Sequence, residues 1–538
     1  MNKKNTKKDN SSEIEKKKKN KTGSEKNKKL AKKQSRFLKW LDRIERFGNA
    51  LPHPATIFAI LALFVVFVSW LAAMFDWSAV YPTTNPDNLL SFKVVKPFSL
   101  ISAEGFRYMF VSMTDNFINF PPLGFVLVAM LGIGLAEGTG FIEALIRQTV
   151  VKAPERMVTM VVVAAGILSH LASSVGYVVL IPLGAMVFIA FDRHPVAGIA
   201  AAFVGVSGGF GANFFIGSVD PILAGLSESA AQMLQPNFSV NPAVNFYFML
   251  ASAFMVTIVG TIVTEKIVEP RLGPWKKTEV DVKGISKLQK KGLKYAFFAF
   301  LAVIATFILL VVPQSGLLHG EGSVLKGPFF MGSGLITAIL IFFFLPGFVF
   351  GLVTGTIKND RDVIKIMIKA IKGLAPYIVL VFFAAQFVFF FKRSNLGIIL
   401  AIRGANFLKA AGISGILLIL IFIVFSSFMN MFMGSASAKW AIMAPVFVPM
   451  FMLSGYHPAL TQAAFRIGDS VTNIVTPMMS YFALILTFVH KYDKKAGIGT
   501  MIATMIPYSI FLFIAWSLLM SIWFLLGLPL GPGGPLTM

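Results

Sequence analysis

The chain has 538 residues, 56% of them hydrophobic and 14% charged, with a mean hydropathy of +0.74. A soluble globular protein carries about 25% charged residues, so this composition excludes a water-covered surface and requires lipid over much of the chain. There is no cysteine, and the six histidines show no H-x-x-x-H or H-E-x-x-H spacing; disulfides, thiolate ligands and cysteine nucleophiles are excluded and metal chemistry has little support.

The net charge of +24 is concentrated at the N-terminus, where residues 1–40 hold 16 Lys/Arg against 4 Asp/Glu. Almost no apolar residue interrupts that stretch, so 1–45 reads as a disordered basic cytoplasmic tail. Beside a membrane span such a tail serves topology and contact with anionic lipid, in preference to nucleic acid. Its charged region is too long for a signal peptide, and no small-residue cleavage site follows the first apolar run.

Crossing ~30 Å of hydrocarbon takes about 20 apolar residues. That predicts spans near 55–76, 122–146, 195–225, 243–265, 293–312, 332–355, 374–393, 459–488 and 499–527. Two further apolar stretches, 157–191 and 413–453, are too long for one crossing. Each has a small, polar centre, Ser169-His170-Leu171-Ala172-Ser173-Ser174 in the first and Gly434-Ser435-Ala436-Ser437-Ala438-Lys439 in the second. A re-entrant hairpin with a sheltered, non-helical tip accounts for each; one long tilted helix or two short crossings is the alternative. Charge favours the hairpins. With the N-terminus cytoplasmic, nine crossings and two hairpins put Arg147, Lys152, Arg156, the basic connection 265–295, Lys358–Lys372 and 490–495 inside, and the Lys-poor segments 78–120, 226–240 and 313–330 outside. Only Lys392, Arg393, Arg403 and Lys409 break the bias. The expected fold is an all-α polytopic membrane protein.

A shift of 263 residues aligns the two unusual regions, giving 8 identities over the ungapped positions 174–205. Ser174 falls on Ser437, Tyr177 on Trp440, Pro182 on Pro445, His194-Pro195 on His457-Pro458 and Gly205 on Gly468. Shared Pro, His and Gly at fixed spacing are not explained by apolar bias. Five crossings between the copies make the repeat inverted, the recurrent plan of secondary transporters. No Walker A motif, ring-forming filter sequence or nucleophile–base constellation accompanies it, which argues against ATP drive, a channel and an enzyme.

The second copy carries the charge. Ionisable residues in a span cost on the order of 2.5–3.5 kcal/mol each. Arg466 and Asp469 stand three apart on one helical face and are expected to neutralise each other partly. They either hold helices together or form a working site. Gly468, the hydroxyl and amide groups from Ser470 through Asn473 to Thr476, and Pro477 predict a helix that unwinds here and frees carbonyls for a cation. Asp469 is then a Na⁺ ligand or a proton-accepting carboxylate, and Arg466 a fixed positive charge for an anionic substrate group. Tyr177 and Trp440, just past tips bearing Ser174 and Ser437, serve either as interfacial belt residues or as walls stacking on an aromatic substrate. Lys439 either snorkels or meets substrate. His194 and His457, each before a proline, suit helix starts. In the first copy Phe203 and Val206 replace the Arg466 and Asp469 positions, and Asp220-Pro221 is expected near the outer end of its span.

The runs Gly434-Ser-Ala-Ser-Ala-Lys-Trp-Ala441, Gln462-Ala-Ala-Phe-Arg-Ile-Gly-Asp-Ser470 and Arg46-Phe-Gly-Asn-Ala-Leu-Pro-His-Pro54 resemble the AbgT family of p-aminobenzoyl-glutamate transporters, over about 40 to 530. The resemblance implies a transporter domain at 46–530, with its first hairpin and broken span at 157–225 and its second at 413–488. It also implies a homodimer in the cytoplasmic membrane, coupled to a Na⁺ or H⁺ gradient and without a bound cofactor. By motif position Asn430 and Asp469 look like the cation-linked pair. Ser437, Trp440, Pro458, Arg466, Asp469 and Pro477 look like the substrate-lining residues. Family members take up p-aminobenzoyl-glutamate or export sulfonamide antimetabolites, and the motifs leave the direction open.

Overall fold

Proline opens the helices that begin at Pro54, Pro121, Pro195 and Pro458, where its missing N–H costs no helical bond. The computed structural model describes residues 52–538 apart from 85–89, 172–175, 276–283, 321–323, 325–328, 330–333, 480 and 495. The basic tail 1–45 and Ser174 lie outside the described residues. Helix α1 (Pro54–Met74) leads into a β-hairpin of β1 (Ala79–Thr84) and β2 (Leu90–Val95), antiparallel with Ala79 opposite Val95 and Thr84 opposite Leu90. Then come α2 (Ala103–Ile118), α3 (Pro121–Gly138) and α4 (Phe141–Val151). The first unusual region forms α5 (Val158–Leu168), a π-helical turn at Gly176–Leu180 and α6 (Ile181–Ala190). It continues as α7 (Pro195–Phe203), a second π turn at Val204–Gly208 and α8 (Val219–Ala231). The middle of the chain holds α9 (Phe246–Val263), α10 (Glu269–Leu272), α11 (Lys287–Val311), α12 (Gly334–Thr354), α13 (Asp360–Gly373), α14 (Ala375–Arg393) and α15 (Leu396–Ala410). The second unusual region forms α16 (Gly415–Asn430), α17 (Ala436–Leu453), α18 (Pro458–Asn473) and α19 (Phe482–His490), and α20 (Ile498–Leu525) closes the chain.

Eight stretches among the described residues are long and apolar enough to cross a membrane, and shorter apolar helices at Gly176–Ala190, Pro195–Gly208 and Gly415–Asn430 add to them. The expected spans at 55–76, 243–265, 293–312, 332–355, 374–393 and 499–527 coincide with α1, α9, α11, α12, α14 and α20. The other expected spans divide. The one at 195–225 breaks between Gly208 and Val219, and the one at 459–488 breaks after Asn473. The one at 122–146 ends at Gly138, where Gly140 turns the chain with φ +82°. Within the segment expected as an outer loop, 78–120, the structure instead places the β-hairpin and α2.

Two of the basic residues that break the charge bias are held by this segment. Arg393 pairs with Glu104 at 2.6 Å and lies over the Phe98 ring, while Arg403 donates to the Ser78 carbonyl at 3.1 Å. Three His-Pro dipeptides begin helices in the same way. Nδ1 of His53, His194 and His457 accepts from the N–H two residues on, at 3.2, 3.2 and 3.1 Å, with proline at the first helical position.

Burial sorts the helices. In α11 only Gly292, Ala296, Val303 and Val311 are buried, whereas α18 is buried at nearly every residue. Helices α16, α17, α8 and α20 surround α18, so its polar face meets protein.

Candidate functional site

Gln462, Arg466, Asp469 and Asn473 recur at three- and four-residue spacing and form one stripe along α18. The expected Arg466–Asp469 pair is not made. Nη1 of Arg466 lies 2.6 Å from Oδ1 of Asp220, and Nζ of Lys439 lies 2.5 Å from Oδ1 of Asp469. Four charges are buried here as two opposite-sign pairs, and removing a partner from a buried charge costs several kcal/mol. Asp220, expected near the outer end of its span, is fully buried in the first turn of α8. There the helix dipole favours a carboxylate, and its Oδ2 accepts from the Gly217 N–H at 2.6 Å.

Asn430 ends α16 against the middle of α18. Its Nδ2 donates to the Asp469 carbonyl at 2.8 Å and to Thr472 Oγ1 and Asn473 Oδ1 at 2.9 Å. Its Oδ1 accepts from Lys439, which also donates to the Met433 carbonyl at 3.3 Å. Asp469 Oδ2 accepts from Asn473 Nδ2 at 3.0 Å. The three residues expected at the cation site, Asn430, Asp469 and Asn473, therefore stand together, with the Lys439 ammonium among their oxygens. Among the described residues no cluster of three His, Cys, Asp or Glu side chains offers another metal site.

Trp440 is buried between helices and does not reach an outer belt. Its ring packs on Phe465 at 4.5 Å, and its Nε1 donates to Ser227 Oγ at 3.0 Å. From Ser227 a hydrogen-bonded chain runs to Gln462 at 2.6 Å, to Asn245 at 2.8 Å and to the Ala459 carbonyl at 2.8 Å. Tyr177, which aligns with Trp440, stacks on Tyr481 at 4.3 Å and 8°, and its hydroxyl lies 2.9 Å from Ser207 Oγ. Ser207 in turn reaches Met479 Sδ at 3.0 Å. Pro458 is buried at the start of α18; Ser437 and Pro477 are half-buried. Ser435, beside Ser437, caps α17 through the Ala438 N–H at 3.4 Å.

The unwinding expected over Gly468–Pro477 begins at Ile474, in the later part of that stretch, and Gly468 itself stays helical. Hydroxyls of Ser470 and Thr472 bond the Arg466 and Gly468 carbonyls one turn back, at 2.7 and 2.9 Å, and these local bonds accompany an intact helix. Gly211 lets the loop after the Val204–Gly208 turn touch this helix, since a Cβ there would stand 2.7 Å from the Arg466 carbonyl oxygen. Buried Arg466 Nε, Asn213 Oδ1, His170 Nε2 and Thr461 Oγ1 find no hydrogen-bond partner among the described residues. The guanidinium thus retains an unused donor beside its bond to Asp220.

Lys439, Asp220, Ser227, Asn245 and Tyr481 belong to this network without having been assigned to it from sequence. A lysine inside an apolar stretch was the visible signal for the first. The others contact the site across more than 200 residues or sit in segments read as loops or apolar spans.

The family model described as the AbgT putative transporter family matches residues 39–538. The chain is 38% identical over 493 residues to the p-aminobenzoyl-glutamate transport protein of Escherichia coli strain K12, covering 91% of this chain and 95% of that one. The YdaH transporter of Alcanivorax borkumensis, whose topology is described as unusual, superposes with a TM-score of 0.82 at 41% identity, covering 89% of this chain and 100% of that one. MtrF of Neisseria gonorrhoeae, described as illuminating a class of antimetabolite efflux pumps, superposes with a TM-score of 0.85 at 45% identity, covering 92% and 100%.

Proposed function

The chain belongs to the AbgT transporter family, and from that premise we propose that it is a cation-coupled secondary carrier of p-aminobenzoyl-glutamate or related aromatic amides. It works as a homodimer in the cytoplasmic membrane with its N-terminus inside, through nine crossings and two re-entrant hairpins in an inverted repeat. The observation that carries the reading is the pair of buried charge sites on α18: Arg466 with an unused Nε donor, and Asp469 with Asn430 beside the α16–α17 break. A carboxylated aromatic amide offers an anion to the guanidinium and a ring to Trp440, Tyr177 and their neighbours. The oxygen set at Asn430, Asp469 and Asn473 suits Na⁺ or a proton. Ser437, Pro458 and Pro477 shape the breaks around the substrate.

Flux in proteoliposomes, with Na⁺ and pH gradients imposed separately, tests this. Asp469→Asn is expected to abolish gradient-driven accumulation, and flux indifferent to collapse of both gradients removes the coupling. A second reading is proton-driven export of sulfonamide-type antimetabolites; the similarity to MtrF, described with antimetabolite efflux pumps, supports its export direction. Arg466→Ala separates the two: loss of carboxylated substrate with retention of a neutral sulfonamide supports anion binding at Arg466, and equal loss of both argues against it.

A further inference from the structure

Lys439 stands where neither its helix nor its surroundings favour a cation. It is 1% exposed in the first turn of α17, where the helix dipole favours an anion. A charge at such depth costs on the order of 2.5–3.5 kcal/mol. An ammonium has three donors and no acceptor, and the site supplies three oxygens: Oδ1 of Asn430, the Met433 carbonyl at 3.3 Å and Oδ1 of Asp469 at 2.5 Å. The Phe465 ring adds a π face 5.8 Å away. The oxygens come from three pieces of chain: the end of α16, the connection into α17 and the middle of α18. A carboxylate, an amide and a carbonyl are the donors that a hard metal cation takes. The first copy has no counterpart, since Gly176 aligns with Lys439 and Val206 with Asp469.

We propose that the Lys439 ammonium is a tethered stand-in for the coupling cation, filling the Asn430–Asp469 seat of the unloaded carrier and excluding Na⁺ until it withdraws. The proposal rests on the cation-coupled reading and adds to it the residue that controls entry of the ion. One carboxylate neutralises one cation, and a second cation in the same buried space has no counter-charge to offset its desolvation. The neighbouring carboxylate, Asp220, is already committed to Arg466 at 2.6 Å.

Binding of radioactive Na⁺ to the purified full-length protein in lipid vesicles tests the exclusion. Lys439→Met and Lys439→Gln are expected to bind Na⁺ about tenfold more tightly than the wild type, because Asp469 loses its internal partner. Lys439→Arg retains the charge and is expected to show no gain. Equal Na⁺ affinity in the wild type and both neutral variants overturns the proposal. The wild type supplies a readout that no variant's folding affects: replacing choline by Na⁺ at constant ionic strength should raise acetylation of Lys439 several-fold, measured by peptide mass spectrometry. Unchanged labelling overturns the exclusion. Tighter Na⁺ binding by the neutral variants together with gradient-independent flux removes the coupling reading and leaves the tethered cation standing.

Discussion

Asp220 and Arg466 lie 246 residues apart in the chain and meet at 2.6 Å inside it. Removing one member of such a pair leaves the other charge buried and uncompensated, at a cost of about 3–5 kcal/mol. Asp220→Asn is therefore expected to lower the thermal unfolding midpoint in detergent markedly. Asp220→Leu combined with Arg466→Met, an apolar pair of similar volume, should restore much of that loss while abolishing transport of a carboxylated substrate. A double variant no more stable than Asp220→Asn would show that the site needs its charges for folding. At this scale the sequence exposes which residues are unusual and not whom they touch. Arg466 and Asp469 stand out as charges in an apolar stretch, and local helical spacing points them at each other. Their partners, Asp220 and Lys439, are chosen by packing between elements, which leaves no periodic trace.

Close helix approach positions the site, and Gly468 marks where it occurs. A Cβ there would lie 2.6 Å from the Ile423 carbonyl oxygen and from Cβ of Ser426, both on α16. Gly468→Ala must push α16 away from α18, an overpacking cost of about 1–3 kcal/mol, and it disturbs the Asn430 bonds to Asp469 and Asn473. Lower thermal stability together with weakened ion dependence of flux is the expected result; unchanged values would mean that α16 has room to shift. Two of the His-Pro helix starts, those at His194 and His457, respond to acid. Burial lowers the His457 imidazole to about 4 and also lowers His194, with Glu269 and Asp493 offsetting part of the effect there. The folded state holds these rings neutral with Nδ1 as acceptor, while an unfolded histidine takes up a proton near 6.5. The unfolded chain thus binds more protons between about 6.5 and 4, and stability falls as pH drops through that window. His457→Asn, which keeps a capping acceptor without the titration, should flatten the pH dependence of unfolding.

Elements with long apolar runs, such as α1, α12 and α20, are legible from hydropathy. The missed ones are short or mixed. Helix α13 carries exposed Ile364 and Ile368, each followed by a lysine (Lys365 and Lys369), and reads as a basic loop when only span-length windows are considered. Helix α2 interleaves Phe106 and Phe110 with Arg107 and Asp115, so its apolar face is visible only after the fold orients it.

Across the whole molecule, segments from the two related regions meet where their helices are interrupted. Tyr177 and Ser207 from the first lie against Tyr481 and Met479 from the second. In secondary transporters built on inverted repeats, alternating access moves one repeat against the other around a fixed site, so the proposed cycle predicts that this junction changes during transport. The chain has no cysteine of its own, and Ser207→Cys with Met479→Cys therefore introduces the sole thiol pair. A short thiol-specific crosslink there should reduce flux to a few per cent of the uncrosslinked variant, with recovery on reduction. Full flux through the crosslinked protein would place the motion elsewhere.

The two ion pairs along α18 also determine how the unloaded carrier responds to voltage. Lys439 with Asp469 and Arg466 with Asp220 sum to zero charge. A membrane potential does work of about 2.3 kcal/mol per elementary charge per 100 mV, and on a neutral constellation it does none. Reorientation of the empty site is then electrically silent, and in the proposed cation-coupled cycle the potential acts only through the charges of the cargo and the ion.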